Sequence, residues 1–111
     1  LHWDRSNRST DALKRIPETL VNYIQLCDAP RLDNPTTDQL IHAARSERLV
    51  PGSGDIDLSG MLAALPSGKV YSVEVPREAE SAALSPRERA SEALACAKSV
   101  VYSAEDAQVN N

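Results

Sequence analysis

Two short apolar runs constrain this chain more than anything else in it: Tyr23-Ile24-Gln25-Leu26-Cys27 and Val70-Tyr71-Ser72-Val73-Glu74-Val75. Each has the length and the β-branched or aromatic bias of a strand. The segment between them carries two separate helix starts, so it cannot be a hairpin. A long connection through helices implies a crossover, and strands joined by a crossover pair in parallel. The first run is nearly continuous in apolar residues and predicts a strand buried on both faces.

The helix starts are specific. Thr36-Thr37-Asp38-Gln39 fits a capping box, a Thr with Gln three residues on, and opens a helix through about Glu47 with Leu40, Ile41 and Ala44 as its apolar stripe. Asp57 is a good cap for a helix carrying Leu58, Met61, Leu62 and Leu65, which Pro66-Ser67-Gly68 ends. Ser85-Pro86-Arg87-Glu88 combines a capping Ser, Pro at the first helical position and Glu at the third. Ala90, Ala93, Leu94, Ala97 and Val101 follow it on one face, and the residues from Ala104 onward read as a frayed end. Upstream, Ser9 or Thr10 caps a short helix with Leu13 and Ile16 on one side. Leu1-His2-Trp3 reads as the end of a strand. The order is strand end, helix, strand, helix, loop, helix, strand, helix, an α/β arrangement.

Composition removes several function classes. The apolar share of 41% and charged share of 25% are those of a globular protein. With 4% aromatics and no Phe, the core must come from Leu, Val, Ile and Ala. The net charge is −4 and the 12 Lys and Arg are scattered, which argues against a nucleic-acid partner. The apolar runs are far shorter than the roughly 20 residues of a membrane span, and the first residues given do not show the charged-then-apolar pattern expected of a signal peptide. Cys27 and Cys96 lack the spacing of a zinc or redox site; we expect reduced thiols and a cytoplasmic setting, although their number allows one disulfide.

Three polar motifs close these apolar runs or follow them: Gln25-Leu26-Cys27-Asp28-Ala29-Pro30, Arg48-x-x-Pro51-Gly52-x-Gly54-x-Ile56-Asp57, and Val73-Glu74-Val75-Pro76. In this order they resemble the last part of the sugar phosphate isomerase/epimerase family, the xylose-isomerase-like (β/α)8 barrels. The resemblance implies that Leu1–Trp3, Tyr23–Asp28 and Val70–Val75 are the ends or bodies of the sixth, seventh and eighth barrel strands. Residues 1–111 would then be the C-terminal portion of one TIM barrel, a fold of roughly 250 residues whose chemistry sits at the carboxyl ends of the strands.

Further expectations follow from the resemblance alone. Glu74 stands at the eighth-strand metal ligand, and Gln25 where a seventh-strand His is usual. A Gln carbonyl is still a hard donor suited to Mg²⁺ or Mn²⁺. His2 and Arg48 match substrate-contacting positions. The activity implied is metal-dependent isomerisation or epimerisation of a sugar or sugar phosphate, with Glu74 as one of two carboxylates that move the proton. The alternatives are a lyase or dehydratase of the same barrel, an endonuclease-IV-like hydrolase, which two histidines and an acidic balance disfavour, or a catalytically silent piece. Three strands of eight leave open edges, from which we expect self-association. Asp28 reads as a loop cap that collects backbone N–H groups. His42 reads as solvated, and Trp3 as core.

Overall fold

A computed structural model describes residues 1–79 and 82–110. Its elements are α1 (His2–Arg5), α2 (Thr10–Lys14), a 3₁₀ turn (Glu18–Leu20), β1 (Tyr23–Leu26), α3 (Thr37–Ser46), α4 (Leu58–Ala64), β2 (Val70–Val73) and α5 (Pro86–Val109). The two strands pair in parallel, Tyr23 opposite Val70 and Leu26 opposite Val73. The Glu74 N–H donates to Leu26 O at 3.1 Å, so the ladder runs one residue past β2. The crossover carries α3 and α4, as two helix starts between the strands required.

Local chemistry sets the helix starts. Thr36 Oγ1 accepts from the Gln39 N–H at 3.2 Å while Gln39 Oε1 accepts from the Thr36 N–H at 2.8 Å. Ser85 and Glu88 make the same reciprocal pair with Pro86 behind the cap. The bond from the Ser85 N–H, and secondly that with the Ser85 side chain, hold the Glu88 carboxyl below its usual range. Asp57 Oδ1 accepts from the Gly60 N–H at 2.9 Å and opens α4.

One core forms where α4 and α5 cover one face of the strand pair. Ile24, Leu26, Leu62, Val101 and Ala104 are buried there, with Tyr71 and Val100 packed against them. Burial, and secondly the nearby Glu105 carboxylate, raises the Tyr71 phenol above its usual value. A smaller cluster of Ala29, Ile56 and Leu58 lies beside it.

Four expectations are corrected. Leu1–Trp3 is not a strand end. Residues 2–5 close one helical turn, with the Arg5 N–H on Leu1 O at 2.9 Å and the Ser6 N–H on His2 O at 3.1 Å. No neighbouring strand competes for those groups among the described residues, and Asn7 at φ 55° ends the turn. The strand β1 is buried on one face only: Ile24 and Leu26 point inward, Tyr23 and Gln25 outward. The outward face follows because the helices cover a single side of this pair.

The helix α5 does not fray at Ala104 but runs on to Val109. Its last turns lie against α4, with Ala104 buried and Gln108 Nε2 donating to Leu62 O at 3.2 Å. Leu94 faces out of that contact, 53% exposed, and the packed face is Ala97, Val100, Val101 and Ala104. Cys27 and Cys96 are free thiols, the first buried and the second half-buried.

Candidate functional site

The carboxyl end of the strand pair gathers most of the residues singled out above. Glu74 follows β2 directly, and Asp28 lies two residues past β1. Side chains alternate across a sheet, and Gln25 pairs with Ser72, so Gln25 and Glu74 share one face. It is the face away from α4 and α5, and Tyr23 (61% exposed) and Val70 (70% exposed) lie on it too.

Arg48 reaches this end from the turn after α3. Its N–H donates to Pro76 O at 3.1 Å and its Nε to Ala44 O at 2.7 Å. Its Nη1 donates to Glu74 Oε2 at 2.9 Å. The Arg48 side chain is only 11% exposed, whereas that of Glu74 is 52% exposed. A well-held guanidinium therefore faces a carboxylate that remains open to incoming groups. His42 is exposed as expected, with its Nε2 3.1 Å from Glu47 Oε1.

Asp28 is the most deeply buried polar residue, at 1% exposure. Its Oδ1 accepts from the N–H groups of Ala29 at 2.9 Å and Ile56 at 3.1 Å, and its Oδ2 from that of Gly52 at 3.0 Å. Burying an ionised carboxylate is costly unless donors replace water, and three backbone N–H groups do so here. Asp28 thus caps the Pro51–Asp55 loop, as its position after an apolar strand suggested. Gly52 adopts φ +89°, a conformation that favours glycine.

A second feature at the same end was not legible in the sequence. A cleft of about 600 Å³ opens between α1 and the segment after β1, lined among others by Asp4, Arg5, Arg31, Asn34 and Asp55. Arg5 Nη2 donates to Pro30 O at 2.7 Å, and the Arg31 N–H to Asp55 Oδ2 at 2.8 Å. These contacts join residues 24 or 25 positions apart, and no local motif signals them. His2 is exposed on α1. None of His2, Gln25, Arg48 and Glu74 lines the cleft, so the structure brings Arg48 and Glu74 together but does not join them to it.

Gln25 and Glu74 offer hard oxygen donors of the kind that Mg²⁺ or Mn²⁺ takes. Among the described residues no three His, Cys, Asp or Glu side chains converge to hold a metal ion. Such an ion would need further ligands beyond these two.

No family model, no curated protein and no solved structure matches the chain. No described helix is long and apolar enough to cross a membrane.

Proposed function

We propose that this chain forms part of a metal-dependent sugar or sugar-phosphate isomerase/epimerase of the barrel type, with Glu74 in its active site. The observation that carries the reading is the parallel pairing of β1 and β2, with Glu74 at the carboxyl end and Gln25 on the same open face. Barrel enzymes keep their chemistry at that end. The motifs Gln25–Pro30, Arg48–Asp57 and Val73–Pro76 supply the family likeness.

In this reading Gln25 and Glu74 provide two oxygen ligands of a divalent cation, whose charge would polarise the substrate's carbonyl and hydroxyl oxygens. Glu74 takes a proton from the carbon beside the carbonyl, and a second carboxylate outside the described residues handles its return. The reaction passes through an enediolate. Arg48 orients Glu74 through its Nη1 and has further N–H donors for a substrate oxygen. His2, exposed on α1, contacts the substrate. The setting is cytoplasmic, and the open sheet face suits a homo-oligomer.

The Arg48–Glu74 pair also favours a second reading, in which it is a strut between the α3 turn and β2 without chemistry. Glu74→Gln in the full-length protein separates the two. The enzymatic reading expects turnover of ketoses with Mn²⁺ to vanish while the fold persists. The strut reading expects unchanged turnover, or none in either protein.

A further inference from the structure

The Asp28 carboxylate sits at the centre of a knot that includes more than its own loop. Besides the three N–H groups on its side chain, residue 28 exchanges two backbone bonds with Leu49. The Asp28 N–H donates to Leu49 O at 2.8 Å, and the Leu49 N–H to Asp28 O at 2.9 Å. Four of these five bonds tie the end of β1 to Leu49, Gly52 and Ile56, and the fifth, from the Ala29 N–H, is local. Leu49 is the residue after Arg48.

We propose that Asp28 is a positioning residue for Arg48: its buried charge fixes the 49–56 segment, and so aims the Arg48 guanidinium at Glu74. A neutral side chain of the same shape cannot do this. An ionised carboxylate only accepts, which suits three N–H donors; an Asn amide would turn N–H groups toward at least one of them. A buried donor facing a donor forces the segment to move. The functional meaning of this aim rests on the reading of Arg48 and Glu74 as site residues, but the aim itself is measurable without activity.

The test is the Arg48 Nε–Hε resonance in ¹⁵N-correlated spectra of the full-length protein, assigned by its loss in Arg48→Lys. A guanidinium whose Nε is bonded to Ala44 O and whose Nη1 is bonded to a carboxylate should resonate apart from exposed arginines. Asp28→Asn should shift this signal toward the exposed-arginine position. Leu62→Ala, a core variant that touches neither Arg48 nor Asp28, controls for general destabilisation and should leave the signal in place. Should Asp28→Asn not fold, Gly54→Ala gives the second probe, because its new methyl pushes on the Asp28 carboxylate. An unmoved Arg48 signal in a folded Asp28→Asn or Gly54→Ala protein overturns the proposal. So does a shift of the same size in Leu62→Ala. Loss of turnover in Glu74→Gln bears on the functional reading alone, so the two claims fail separately.

Discussion

Gly54→Ala should destabilise the protein far more than Gly60→Ala, although the two glycines look alike in sequence. A β-carbon on Gly54 would collide with Asp28 Oδ1 and stand 2.6 Å from Ala29 O and 2.7 Å from Asp28 Cγ. Relief requires movement of a buried group. If the carboxylate swings away, it abandons N–H groups of Ala29 and Ile56, at about 1–3 kcal/mol for each donor left unpaired. If the loop lifts instead, the bond from the Asp55 N–H to Ala29 O at 2.9 Å is lost. Against this, Ala stiffens the unfolded chain and returns about 0.4–1 kcal/mol. The net loss is about 2–4 kcal/mol.

At Gly60 the new carbon meets Asp57 Oδ2, the free end of an exposed side chain that can rotate away. Losing that cap costs about 1 kcal/mol, and replacing a helical Gly by Ala gains nearly as much, so the sum stays within about 0.5 kcal/mol of zero. Urea unfolding followed by circular dichroism reads both. With a slope of about 1–3 kcal/mol per molar, the Gly54→Ala midpoint should fall by about 1–2 M while Gly60→Ala stays near the parent. A Gly54→Ala midpoint indistinguishable from that of Gly60→Ala would refute the account of the Asp28 knot.

Three further outcomes are expected. Tyr71, its phenol raised by burial and Glu105, should ionise above the ordinary tyrosine range in a titration followed near 295 nm, and Tyr71→Phe should remove that late step. Because the folded value lies above the unfolded one, this group's contribution is complete below the ordinary tyrosine range and is lost as pH rises through the folded value; a titration curve that Tyr71→Phe leaves without loss of a late step would contradict the packing of Tyr71. Glu88, held low by Ser85, contributes stability that is present above the ordinary carboxylate range and lost as pH falls through its folded value. Ser85→Ala should therefore flatten the acid limb of the helix signal, and an unchanged acid limb would remove the capping box from the explanation. Val70→Lys, on the open sheet face, should lower self-association measured by light scattering, since charge on an exposed strand opposes edge and face pairing; unchanged association would place the contact elsewhere.

What could be read from the residues alone is what is decided within a few positions. The Thr36–Gln39 and Ser85–Glu88 boxes close between residues three apart, so sequence suffices to find them. The parallel pairing followed from two helix starts between the strands, and Asp28 as a loop cap from a carboxylate after a buried run. The encounter of Arg48 with Glu74 spans 26 positions, and local signals offer only an isolated Glu in a strand and an isolated Arg after a helix. Arg5 on Pro30 O is similarly remote, which is why the cleft went unseen. The helical turn at His2–Arg5 arises because Leu1–Trp3 has no strand beside it among the described residues, which its apolar character cannot reveal. The outward face of β1 depends on where the helices settle: period-two burial emerges only once α4 and α5 cover one side.

The central claim is that Glu74 moves a proton at substrate carbon. Its most direct measurement is deuterium uptake from heavy water into the carbon-bound positions of a panel of ketoses and ketose phosphates, by NMR, with the full-length protein and Mn²⁺. The account predicts metal-dependent uptake beside the carbonyl for the parent, and none above background for Glu74→Gln with its circular dichroism unchanged. Uptake by Glu74→Gln at the parental rate would contradict it, and so would a parent that exchanges no carbon-bound proton in any of these substrates.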